Sequence, residues 1–142
     1  MKPSLIVFLA FLIVSGCSEK VSHTYETRAA AEADDLFKKG WLPDIIPSSS
    51  RQIKTSNDLD TNSSEGEFYF EPAEAQTFLQ KLSVYSKDSQ VLKPWHDLVE
   101  RHRKPDHAVY TYNIGGSIWI FFIHSAQGHA YYVMKPDEKQ SE

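Results

Sequence analysis

Beyond residue 20, apolar positions run closest together near the C-terminal end. Ser117 to His124 reads Ser-Ile-Trp-Ile-Phe-Phe-Ile-His. Successive side chains of a strand point to opposite faces. Trp119, Phe121 and Ile123 therefore face one side, and Ile118, Ile120 and Phe122 the other. A strand apolar on both faces must be covered on both, which places it inside a sheet and not at its edge. Ala108 to Ile114 and His129 to Lys135 read as its neighbours. Gly115-Gly116 is a hairpin turn, and Ser125 to Gly128 the next turn. The last third is thus a three-stranded meander.

Upstream the period changes. Ala29, Ala33, Leu36 and Phe37 fall at i, i+4, i+7 and i+8, which predicts a helix over Thr27 to Lys39. Thr27 is its N-cap and Gly40 its C′ residue. Arg28 with Glu32, and Asp35 with Lys39, form opposite-charge pairs on its solvated face. Pro72 opens a second helix to Ser83, burying Ala75, Phe78, Leu79 and Leu82. Pro94 opens a shorter third, with Trp95, Leu98, Val99 and His102 on one face. Val21 to Tyr25, Arg51 to Thr55 and Glu67 to Phe70 read as short strands. Two prolines make Trp41 to Pro47 a packed turn, with Trp41 docking on the core. Ser56 to Gly66 is polar and reads as an exposed loop.

The expected architecture is a single α+β domain over residues 21–135. Its antiparallel sheet ends in the C-terminal meander and carries two main helices. Residues 136–142 are a charged tail. The helices cover one side of the sheet. The third helix, the Trp41 to Pro47 turn or a second copy of the chain must cover the other. Trp119, Phe121, Tyr131 and Tyr132 motivate the homodimer.

Composition narrows the function. The 142 residues are 41% hydrophobic and 24% charged, with a formal net charge of −4. A nucleic-acid binder needs a concentrated basic face. The densest cluster here is Arg101, Arg103 and Lys104, so nucleic acid is not an expected partner. Cys17 is the only cysteine, which excludes a disulfide framework and a cysteine-rich zinc site.

The position of Cys17 carries its own meaning. Lys2 is followed by the apolar run Leu5 to Val14, then Ser15-Gly16-Cys17. The run is shorter than the roughly 20 residues of a membrane span and has the length of a signal-peptide core. The segment resembles the bacterial lipobox, although Val14 stands where leucine is commoner. The resemblance implies a signal peptide over residues 1–16, cleavage before Cys17 and acylation of Cys17, palmitate-type chains included. Residues 17–20 would be the lipidated cysteine and a short tether. In diderm bacteria, Ser18 instead of aspartate implies the outer membrane, facing the periplasm.

A second resemblance covers roughly residues 21–71. Tyr25-Glu26-Thr27-Arg28-Ala29, Gly40-Trp41-Leu42-Pro43, Ile53, Asp58-Leu59-Asp60-Thr61-Asn62, Phe68 and Phe70 follow in an order that resembles the YbbD head domain family of small bacterial envelope proteins. It implies a small extracytoplasmic α/β-type domain and no particular activity. The family pattern often has a histidine before the Asp-Leu-Asp run. Asn57 stands there, so no role for that histidine carries over.

Few residues suggest chemistry. Asp58, Asp60 and Asn62 place oxygen ligands at alternate positions, as a ligand or calcium loop would. An EF-hand starting at Asp58 would need glycine at Ser63 and glutamate at Tyr69, and has neither. The same residues also suit Asx turns. His124 and His129 flank a turn and could face each other, and His107 could join them if the register allows. A metal site would need that third ligand, so neither a metal nor another cofactor is expected. No nucleophile elbow, zinc-protease helix or phosphate loop is present, so no catalytic residue is assigned. Tyr110, Tyr112, Trp119, Tyr131 and Tyr132 make the sheet aromatic, which suits core packing or an interface. The expected function is a non-enzymatic, membrane-anchored lipoprotein that binds a protein or envelope component. The alternative is a periplasmic inhibitor or immunity-type protein presenting the loop from Ser56 to Gly66. A cryptic hydrolase is the remaining class.

Overall fold

The computed structural model describes residues 19–137. Cys17, the expected signal segment and most of the expected tail lie outside them. Seven strands form one antiparallel sheet in the order β1-β2-β3-β7-β6-β5-β4. They are β1 (Lys20–Thr27), β2 (Arg51–Asp58), β3 (Ser63–Tyr69), β4 (Ser83–Val84), β5 (Ala108–Ile114), β6 (Ser117–His124) and β7 (His129–Pro136). Helix α1 (Arg28–Ala33) lies between β1 and β2. Helix α2 (Ala75–Leu79) follows a 3-10 turn at Pro72–Glu74, and α3 (His96–His102) follows one at Lys93–Trp95. The fold is predominantly β with a few short helices, so the expected pair of main helices fits only in part.

The predicted meander is present, and β6 lies between β7 and β5. Its two faces feed separate cores. Trp119, Phe121 and Ile123 pack with Leu36, Leu42, Phe68 and Phe78 beneath α1, the 41–47 turn and α2. Ile118, Ile120 and Phe122 pack with Leu92, Trp95, Leu98 and Val99 of the α3 region. The third helix therefore covers the second face. Trp119, Phe121 and Tyr132 are buried within the chain, which removes their part in motivating a dimer.

The first helix is half its expected length. Thr27 caps it, its hydroxyl accepting from the Ala30 amide at 3.2 Å. It stops at Asp34 because Asp35 adopts φ +55°. The Asp35 amide donates to Glu32 O and the Leu36 amide to Ala31 O. These are the two bonds of a Schellman close, in a conformation that aspartate tolerates better than most residues. Buried Ala31 and Leu36 supply its apolar contact. The chain repeats the device at Gly40, φ +76°, with Gly40 N–H to Phe37 O and Trp41 N–H to Leu36 O. Gly40 is thus a C′ residue as expected, but of the second turn. The break turns Ala29 and Ala33 to solvent and buries Ala31. Arg28 keeps its expected partner Glu32 at 3.9 Å, but the break re-pairs the second couple: Asp35 binds Lys38 at 2.9 Å and Asp34 faces Lys39 at 3.8 Å. In the 41–47 turn Leu42, Pro43, Ile46 and Pro47 are buried, and Trp41 is half-buried.

The expected loop from Ser56 to Gly66 is mostly strand. Its ends belong to β2 and β3, leaving residues 59–62 as the turn. No alternating apolar pattern marks these strands. On their inner face the buried residues Asn57 and Ser64 bond to each other, Ser64 Oγ donating to Asn57 Oδ1 at 2.7 Å.

Candidate functional site

Helix α3 packs over β5, β6 and β7 and leaves the same face of β1, β2 and β3 bare. Alternation and register place Ser22, Thr24, Lys54, Ser56, Glu65 and Glu67 there. Two adjoining hollows of about 210 and 480 Å³ lie on this face and share Ser56 and Glu65. Arg101 and His102, at the end of α3, form one wall. Lys54 Nζ lies 3.0 Å from Glu67 Oε1, and this bond holds the Glu67 carboxyl below its usual range. Tyr131 OH donates to Glu65 Oε2 at 3.3 Å. Burial pushes the Tyr131 phenol up to about 12. The His102 ring stacks on Tyr131 with centroids 5.8 Å apart, and Lys104 Nζ lies 4.7 Å from the same ring. The result is a polar groove with both charge signs and one aromatic floor residue.

A row of imidazoles sits at the end of this groove. The register sets His124 opposite His129, and His107 immediately precedes β5. His107 Nε2 lies 3.1 Å from His129 Nδ1. His129 Nε2 lies 3.1 Å from Glu67 Oε2. The other nitrogen of His107 lies 2.9 Å from the Pro105 carbonyl. The His124 ring meets His107 edge-on at 5.4 Å, and its Nδ1 accepts from the Gln127 amide at 3.2 Å. Burial lowers the His129 pKa against the pull of Glu67. Glu67 is thus the charged member of that contact, and His129 donates to it. The partners in these bonds are the Glu67 carboxylate, the Pro105 carbonyl and the Gln127 amide. Among the described residues, no three His, Cys, Asp or Glu side chains converge to hold a metal ion.

The loop singled out in the sequence takes the Asx arrangement. Asp58 Oδ1 accepts the amides of Asp60 and Thr61, each at 3.1 Å. Asp60 Oδ2 accepts the Glu19 amide at 3.3 Å. Asn62 sits at φ +49° and closes the turn. Asp58 also lines the smaller hollow with Lys20. Of the sheet aromatics, Trp119 and Tyr132 are core residues, and Tyr110, Tyr112 and Tyr131 are half-buried. Sequence reading missed the groove because Ser56 and Glu65 fall in the segment taken for a loop, and the pairing of the strands on either side of it was not read. Lys54 and Glu67, paired across β2 and β3, become neighbours only once that hairpin register is known.

Residues 19–69 match the YbbD head domain family. The matched segment holds β1, α1, β2 and β3 complete and ends with the last residue of β3. The motif pieces read in the sequence therefore build the bare half of the sheet and the double turn beneath it. Comparison with curated proteins and with solved structures finds no match.

Proposed function

We propose that the protein is a non-enzymatic binding module of the bacterial envelope, anchored through a lipid on Cys17, and that it docks a polar segment of another envelope protein in the groove beside α3. The groove is the observation that carries the reading. It is open and lined by side chains of both charge signs, Lys54 and Lys104 with Glu65 and Glu67. Mixed charge around one half-buried tyrosine suits a protein segment better than a polyanion, which would require one sign throughout. An inhibitor inserting the β2–β3 loop is less well supported, because only residues 59–62 extend beyond the strands. The hydrolase reading is less well supported, because the imidazole row bonds to Glu67 and to backbone groups.

The test is a photo-reactive residue at Ser56, on the groove floor, in the full chain in its native envelope. Lys81, on the opposite face, is the control position. A discrete adduct from Ser56 that is absent from Lys81 and is lost on Glu65→Arg supports the reading. Equal labelling at both positions, or no adduct at Ser56, overturns it.

A further inference from the structure

The two facing histidines present a hydrogen count that does not close. Each ring turns one nitrogen toward a group that can only accept. For His107 Nδ1 it is the Pro105 carbonyl at 2.9 Å, and for His129 Nε2 the Glu67 carboxylate at 3.1 Å. A neutral imidazole carries one N–H, so both hydrogens are spent on those outer partners. The inner nitrogens, His107 Nε2 and His129 Nδ1, are left with lone pairs 3.1 Å apart. Two lone pairs at that distance call for a positive charge between them, either a shared proton or a metal ion.

We propose that His107 Nε2 and His129 Nδ1 form a two-histidine site for a divalent transition-metal ion of the zinc or copper type. The outer partners match what such a site needs. Metal-bound histidines give their second N–H to a carboxylate or backbone carbonyl, which fixes the tautomer and raises ligand basicity. Glu67 and Pro105 are one of each. Two nitrogens on one tetrahedral zinc, each about 2.0–2.1 Å from the metal, lie roughly 3.3–3.4 Å apart. The observed 3.1 Å needs an adjustment of only a few tenths of an ångström. His124 is not a third ligand as placed, because its Nδ1 accepts the Gln127 amide and its own hydrogen then sits on Nε2. The remaining positions are open to water or to a donor from a bound partner, which makes the ion exchangeable. Lys54 neutralises part of Glu67, and the Lys104 ammonium lies over Tyr131 nearby. The site thus favours an ion held by neutral imidazoles over one held by charge alone.

The probe is Zn(II), titrated into the untagged full chain in detergent micelles with the Cys17 thiol blocked. Binding is followed by calorimetry and by the imidazole nitrogen resonances. The expected result is one saturable equivalent that shifts His107 Nε2 and His129 Nδ1. Glu67→Gln should weaken it about 10–100-fold, His107→Ala should abolish it, and His124→Ala should leave it unchanged. His107 is only partly buried, so its variant is chosen to preserve the fold, with circular dichroism as the check. No saturable binding, or binding that survives His107→Ala, overturns the site and leaves the pair sharing a proton. A Glu67→Gln variant that binds as tightly as the parent also overturns it.

Discussion

The hydroxyl of Tyr25 donates to the Asp34 carboxylate at 2.6 Å, tying β1 to the end of α1 where the helix breaks. Burial raises the Tyr25 pKa to about 12, and the bond from Tyr25 lowers that of Asp34. The carboxylate therefore contributes stability above its unfolded value of about 3.9, which is lost as pH falls through its folded value. The tyrosine contributes fully below about pH 10 and loses its contribution as pH rises toward 12. Tyr25→Phe should lower the urea midpoint at neutral pH. It should also flatten the decline at both ends of the pH profile. An unchanged profile would show that the bond carries no stability.

Phe121 and Phe122 are neighbours in sequence, fully buried on opposite faces of β6. Replacing either by alanine should cost about 3–5 kcal/mol in denaturant unfolding, because both leave cavities. The comparison tests the covering of both faces. A Phe122→Ala cost near zero would mean that α3 does not cover its face in solution.

Gly66 marks a close approach of strands to core. A Cβ there would lie 2.0 Å from the Lys54 carbonyl oxygen and 2.9 Å from the Tyr132 hydroxyl. Gly66→Ala should destabilise by about 1–3 kcal/mol, as overpacking does. Tyr132→Phe removes the hydroxyl and leaves the backbone clash, so the double variant should not recover. Recovery in a thermal melt would place the conflict at Tyr132 instead.

Ser64→Ala leaves Asn57 Oδ1 without its 2.7 Å donor in a buried setting. The expected cost is about 1–3 kcal/mol, that of an unsatisfied buried acceptor. The Ser64→Ala, Asn57→Leu double variant should recover part of it if the polar pair matters through its bond. Equilibrium unfolding of the three variants decides the point.

How far the chain could be read ahead depended on what each segment buries. β5, β6 and β7 were legible to within a residue because β6 buries six consecutive apolar side chains, Ile118 to Ile123. The face carrying Trp95, Leu98 and Val99 was legible from its helical spacing. The β2–β3 hairpin was not, because its inner face replaces apolar residues with the bonded pair Asn57 and Ser64, and its outer face is polar groove. The helix break at Asp35 was hidden because no glycine announces the left-handed turn, whereas Gly40 does. The candidate site followed the same division. His124 and His129 were readable as hairpin neighbours, but the meeting of His107 with His129 depends on how the segment after α3 returns to the sheet. The pairing of Glu67 with His129 depends on β3 joining β7.

That junction governs the order of assembly. β3 pairs with β7, Tyr69 facing His129 and Ser64 facing Met134, so within the sheet the family-matched strands are hydrogen-bonded to the others through β7, the most C-terminal strand among the described residues. Until β7 pairs, β3 is an open edge with Phe68 beside it, the kind of surface that recruits other unfinished chains. Early folding of the first three strands would therefore be a hazard. Pairing of β7 with β3 closes that edge and joins both halves of the sheet in a single step.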